Sequence, residues 1–273
     1  MVYWKRVVYK KTHMIRTLFL PFRSYKYLLL QLTQREIKAR YKQSFVGYLW
    51  VVLNPLAQLL VYSFVFSVVF RFPTNNVPYI IFLYAGLLPW GLFQGSLATA
   101  TQSLVDNAPL IRKVAFPREV IPYSVILAKI VDFCVSAAIF VVMMIIFRVP
   151  FAQTSIYLVP LFLTQLFLTT GIALMLSAAN LFYRDIQYLA NLLLMLWMYM
   201  TPVVYPLSLV PSKYVWLYKL NPMVGIIEGY RSALFQYPFE WTIIYWSMGI
   251  ALITFCIGFY LFKKSEKVFA DIA

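Results

Sequence analysis

Asn54, Gln58 and Tyr62 recur every four residues inside the apolar run 49–70, so a helix there presents all three on one face. Amides and a phenol offer hydrogen bonds rather than bond-breaking chemistry. Such a stripe lines a wet path for a polar solute or bonds to neighbouring helices, and the spacing serves either role. Lys129 and Asp132, three residues apart in another apolar run, are placed to pair. They fit a proton or ion relay, or a satisfied Asp132 beside a Lys129 that snorkels toward headgroups. Glu228 and Arg231 have the same spacing in "NPMVGIIEGYRSALF", where Asn221 and Pro222 mark the start of a short helix. Tyr188, Asn191, Met195, Met198, Tyr199 and Pro202 fall along one side of a further run, a face that suits sugar stacking or bundle core equally.

Other chemistries lack their residues. There is no G-x-x-x-x-G-K-[ST] phosphate loop, so the chain is not expected to hydrolyse nucleotide itself. The single histidine, His13, has no metal-ligand partner at useful spacing, and neither have Cys134 and Cys256, so no bound metal or cofactor is expected. The two cysteines fall inside apolar runs and read as packing residues. A membrane-embedded glycosyltransferase needs carboxylates gathered at one membrane face, whereas Asp106, Glu119 and Asp185 are scattered.

The elements that must position these residues follow from composition. Of 273 residues, 62% are hydrophobic and only 12% charged, which is the composition of a polytopic membrane protein. The net charge of +15 sits at the ends of apolar runs and not among aromatics on a soluble domain, so it argues for membrane topology and against nucleic acid. With about 20 residues needed per crossing, the spans are expected at 49–70, 79–104, 120–147, 156–181, 187–205 and 241–262. Eighteen Lys and Arg fall on the side that holds both termini and five on the other, which places both ends in the cytoplasm. No cleavable signal peptide is evident. The expected fold is therefore an all-α integral membrane protein of six transmembrane helices, with residues 1–47 as a cytoplasmic leader and 48–273 as the transmembrane domain. Residues 202–240 are too polar and proline-broken to cross, and are expected to re-enter the outer leaflet. Gly91, Gly95 and Ala98 form a small-residue pattern that predicts a helix-packing face.

Residues 25–46 place Tyr25, Leu29, Leu32, Ile37, Tyr41 and Phe45 at helical spacing among Lys26, Arg35, Lys38, Arg40 and Lys42. This predicts an interfacial helix with its apolar side in lipid and its cations toward phosphates. Residues 106–119, "DNAPLIRKVAFPRE", are long enough for one compact helix between Pro109 and Pro117. Leu110, Ile111, Val114 and Phe116 then face a partner surface or fold back on the bundle.

The segments "REIKARYKQSFVGYLWVVLNPLAQLLVYSFVFS" (35–67), "GLLPWGLFQGSL" (86–97), "APLIRKVAFPREVIP" (108–122), "NLFYRDIQYL" (180–189) and "TPVVYPLSLVP…LNPM" (201–223), in that order, resemble the permease subunits of ABC transporters that export O-antigen, capsule and teichoic acid. The resemblance implies a homodimer in a bacterial cell membrane, bound to two separate nucleotide-binding subunits that use ATP and Mg. The cargo it implies is polysaccharide on a lipid pyrophosphate, moved outward along the dimer axis. It implies a head-group role for Arg35, Lys38, Arg40 and Lys42, and a translocation path past Asn54, Gln58, Tyr62 and Tyr199. ATPase coupling falls to Leu110, Ile111, Arg112, Lys113 and Phe116. The competing reading is an ATP-independent flippase or scramblase of lipid-linked oligosaccharide, distinguished by whether a phosphate-loop ATPase is encoded alongside.

Overall fold

Two glycines set one of the tightest helix contacts among the described residues. A methyl group on Gly171 would come within 2.7 Å of the Phe255 backbone, and one on Gly258 would collide with the Gly171 carbonyl. Their helices therefore meet backbone to backbone, the close approach that small residues allow where apolar burial adds little drive. These helices belong to a computed structural model that describes residues 25–41, 47–66 and 77–272. Among the described residues the regular structure is all helical.

In chain order the helices are α1 (Lys26–Tyr41), α2 (Trp50–Phe64), α3 (Tyr79–Asp106), α4 (Ala108–Lys113), α5 (Val120–Ile146), α6 (Leu158–Phe182), α7 (Ile186–Tyr199), α8 (Val215–Leu220), α9 (Pro222–Phe235), α10 (Trp241–Ser265) and α11 (Phe269–Ile272). Among the described residues, four stretches are long and apolar enough to cross a bilayer: Tyr79–Asp106, Val120–Ile146, Gln153–Phe182 and Trp241–Ile272. Trp50–Phe64 and Ile186–Tyr199 are apolar but shorter. Helix α3 is the axis of the bundle, buried along most of its length and packed by α2, α5, α6, α7 and α9. Inside it, the Pro89 carbonyl accepts from Gln165 Nε2 at 2.7 Å, and Gln165 Oε1 accepts from the Tyr230 hydroxyl at 3.1 Å. This buried relay ties α3, α6 and α9 together.

One expected boundary is corrected. The fifth apolar run, expected to be helical over 187–205, stops at Tyr199, because the next residues turn around a buried arginine. Arg231 has no solvent exposure. Its Nη1 donates to the Pro202 carbonyl at 2.6 Å and its Nη2 to the Val203 carbonyl at 2.6 Å. The guanidinium lies 3.7 Å from the centre of the Phe82 ring and pairs with Glu228 at 2.8 Å, as the three-residue spacing predicts. The next carbonyl, of Val204, accepts from the Tyr79 hydroxyl at 2.6 Å. Backbone freed from helix by Pro202 and Pro206 is thus satisfied by side chains instead of water. Gly86 makes room, since a methyl there would meet both Val203 O and Arg231 Nη2.

Asn221 completes this end of the bundle. Its Oδ1 caps α9 by accepting from Met223 N at 3.0 Å and also accepts from Trp197 Nε1 at 2.9 Å, while Nδ2 donates to Thr201 Oγ1 at 2.8 Å. The helix expected to begin at Asn221–Pro222 is present, and it packs against the starts of α6 and α10 through Gly229 and Gly225.

Two expectations about faces are corrected. The apolar side of α1 does not face lipid: Leu29 and Leu32 are buried in a second apolar core with Ile121, Tyr123 and Phe269, while Tyr27 and Leu30 are exposed. The Gly91/Gly95 pattern is not a packing face either. A methyl on Gly91 would meet nothing within 4 Å, and one on Gly95 only the Lys129 side chain at 3.6 Å.

Arg231→Met leaves buried carbonyls without donors, so it is expected to lower stability by about 3 kcal/mol or more. Glu228→Gln, at a part-exposed partner, should change it far less. Thermal unfolding in detergent compares the two. In the same assay Gly258→Val should destabilise by roughly 1–3 kcal/mol through overpacking, whereas Gly91→Ala should be close to neutral.

Candidate functional site

Helices α2, α3 and α5 enclose a cavity of about 410 Å³ that reaches the protein surface. Asn54 and Gln58 line it from α2, Gly91, Gln94 and Gly95 from α3, and Lys129 and Asp132 from α5. The four-residue spacing on α2 and the three-residue spacing on α5 thus bring two of the polar sets onto one cavity. Lys129 Nζ and the Asp132 carboxylate stand 3.6 Å apart. The lysine does not snorkel to the helix end. It reaches across to α3, where its terminal carbons and Nζ lie over Gly95. Lys129 lies against Gly95, while the space beside Gly91 is open.

The remaining path residues, Tyr62 and Tyr199, lie outside this cavity but near each other. Tyr62, one turn beyond Gln58, is outside the cavity lining and meets the Phe66 ring edge-on at 6.4 Å. Tyr199 is exposed at the end of α7, and its carbonyl accepts from the Tyr205 hydroxyl at 3.0 Å. The structure therefore joins Asn54 and Gln58 to Lys129 and Asp132, not to Tyr199.

At the end of the bundle that carries the α3–α5 connection, the cations of α1 are placed unequally. Arg35 donates to Asn107 Oδ1 and lies 3.4 Å from Glu36. Lys38 is exposed. Arg40 is helical in its backbone, its side chain lies outside the described residues, and so does all of Lys42. Asn107, which receives Arg35, also donates to the Ser103 carbonyl at 2.8 Å and so fixes the corner from which α4 departs.

The apolar residues around α4 divide. Ile111 and Phe116 are buried in the second core, Phe116 beneath the Arg118 guanidinium at 4.8 Å. The bundle itself covers these two, the second of the alternatives the segment offered. Leu110 is half-buried, and Arg112, Lys113 and Val114 are exposed. Leu110, Arg112, Lys113 and Val114 thus form the outer side of this segment over a floor of Ile111 and Phe116.

The end of α10 closes the same region. Lys263 Nζ lies 2.7 Å from each oxygen of Glu119 and 2.9 Å from Glu266, and Glu266 accepts from the Arg118 backbone N–H at 2.7 Å. Asn180 joins α3 to α7, donating to Gln102 Oε1 at 2.9 Å and accepting from Gln187 N at 3.0 Å. No local pattern announces contacts between residues 144 positions apart. The one sequence signal was a pair of charges, Glu119 and Lys263, at the ends of apolar runs that terminate on the same side.

The comparisons with known proteins decide the family. A model of the ABC-2 type transporter family matches residues 27–235. The chain belongs to the ABC-2 type transporters. Among curated relatives, the O-antigen export system permease protein RfbA of Klebsiella pneumoniae is 33% identical over 248 residues, covering 90% of this chain and 94% of the relative. The RfbA protein of Myxococcus xanthus is 36% identical over 219 residues, covering 78% and 82%. The polysialic acid transport protein KpsM of Escherichia coli is 26% identical over 240 residues, covering 85% and 91%. The matched region of this ABC-2 transporter spans the cavity, the α3–α5 connection and the Arg231 turn.

Glu119 gives this transporter a pH signature. Burial pushes its carboxyl upward, and Lys263 draws it part of the way back. A group that holds its proton more tightly when folded stabilises fully below its unfolded pKa, about 4.3. That contribution is lost as the pH rises through the raised folded value. Glu119→Gln is expected to flatten the corresponding fall in thermal midpoint between about pH 4 and 7, and Lys263→Met to steepen it, as read by unfolding scans across that range.

Proposed function

We propose that the chain is the membrane permease of an ATP-driven exporter of cell-surface polysaccharide of the O-antigen or capsule kind. The observation that carries this reading is the match to the ABC-2 family together with export permeases that align over nearly their whole length. Teichoic acid is a further polymer class that the same architecture serves.

The six-span arrangement is part of the proposal. Between Gln187 and Val204 the chain travels from beside Asn180 and Gln102 to beside Tyr79, a distance along α3 of about 35 Å at 1.5 Å per residue. This supports a crossing by the short α7 with its following turn. Helix α9 meets the starts of α6 and α10 and not their full lengths, which supports a re-entrant segment at that end. The excess of Lys and Arg at the opposite end supports cytoplasmic termini. In this reading the permease works as a homodimer with two separate nucleotide-binding subunits, which supply ATP and Mg. They dock on Leu110, Arg112, Lys113 and Val114. The cations Lys38, Arg40 and Lys42 meet the lipid pyrophosphate, while Arg35 ties their helix to the docking corner through Asn107.

Deleting the gene should abolish surface polymer and leave it lipid-linked inside the cell. The purified chain in lipid should hydrolyse no ATP until a subunit with a phosphate loop is added. Undiminished surface polymer in the deletion strain, or robust turnover by the chain alone, rejects the proposal.

A further inference from the structure

We propose that the cavity between α2, α3 and α5 binds one neutral sugar unit, with the Lys129–Asp132 pair as its polar wall. This rests on the exporter reading for the source of the ligand, but the chemistry is set by the cavity.

Lys129 and Asp132 lie nine and twelve residues into α5, about 14 and 18 Å along its axis. In a hydrocarbon core about 30 Å thick these positions are near mid-depth. Charges there persist only against partners or water, and mark ligand pathways by default. The pair at 3.6 Å carries no net charge. An anion entering beside Lys129 would meet the Asp132 carboxylate, and a cation beside Asp132 would meet Lys129. A lipid tail would strip water from both without replacing a hydrogen bond. A neutral polyol suits both, since each hydroxyl donates and accepts.

The rest of the lining fits the same ligand. Asn54, Gln58 and Gln94 carry both donors and acceptors, and Gln94 is oriented by Trp90 Nε1, which donates to its Oε1 at 2.8 Å. Trp50 stands at the rim, 43% exposed, with an aromatic face for the C–H side of a sugar ring. Gly91 and Gly95 keep the α3 wall flat, and the volume of about 410 Å³ is within the range of small-ligand sites, roughly 300–1,000 Å³.

The test uses the full-length chain in lipid vesicles, with Cys134 and Cys256 replaced by Ala and Gly91→Cys introduced. A soluble maleimide should label this cysteine. Neutral disaccharides, mannobiose or galactobiose, should slow labelling at least threefold, whereas galacturonate and pyrophosphate should not. Asn54→Leu should remove the protection, and so should Lys129→Met combined with Asp132→Leu. Each variant is scored only where it elutes as a single species and unfolds at the parent's midpoint, and the Asn54 variant stands alone if the double variant fails that criterion. Absence of labelling, equal labelling with and without neutral sugar, protection by the anions alone, or protection that survives Asn54→Leu each overturns the proposal. Polymer export by the wild-type chain with its ATPase is measured separately. Export without sugar protection overturns the site and leaves the exporter reading intact, and protection without export does the reverse.

Discussion

A fully buried guanidinium holds one end of this bundle together. Arg231 accounts for the carbonyls of Pro202 and Val203, lies on the Phe82 ring and pairs with Glu228. A chain that leaves helical geometry away from water must find donors for each freed carbonyl. A single planar cation with several N–H groups meets that demand over a short stretch where neutral side chains would have to be recruited one by one. Because the turn is anchored there, α7 ends where it does and α9 is presented to the starts of α6 and α10. The Gly86 gap and the Tyr79 hydroxyl place α3 against the same turn, so the axis of the bundle is set from this end.

Glycine serves opposite purposes at two places in this fold. At Gly171 and Gly258 its missing side chain lets two backbones touch, and at Gly91 and Gly95 it leaves space unfilled. The first use locks α6 to α10. The second borders the cavity between α2, α3 and α5, with Lys129 of α5 lying against Gly95. A rigid half and an open half follow from the same residue type, distinguished only by whether another helix lies opposite.

The end that holds α1, α4 and α11 is fastened differently, by polar links across long chain separations. Arg35 to Asn107, Lys263 to Glu119 and Glu266 to the Arg118 backbone tie the connection between α3 and α5 to α1 and to the end of α10, and Asn180 to Gln102 ties α3 to α6. Arg112 and Lys113 stay exposed while Ile111 and Phe116 hold the segment to its base.

The sequence by itself determined the helical class, the extent of the longest apolar helices, the Asn221–Pro222 helix start and the pairing at Glu228–Arg231 and Lys129–Asp132. All of these are set by contacts within a few turns or by the solvent that surrounds a segment, and both leave a periodic trace. The tertiary structure alone decided which face met which. It stopped α7 at Tyr199, turned Leu29 and Leu32 from lipid to protein, buried Phe116, and gathered Asn54 and Gln58 with Lys129 in one cavity while placing Tyr62 and Tyr199 outside it. An apolar residue is driven out of water in the same way whether lipid, its own bundle or a partner covers it. A glycine pattern likewise reads the same whether it admits a helix or a cavity. In each case the choice is made by a segment tens of residues distant, and its position is a property of the whole packing.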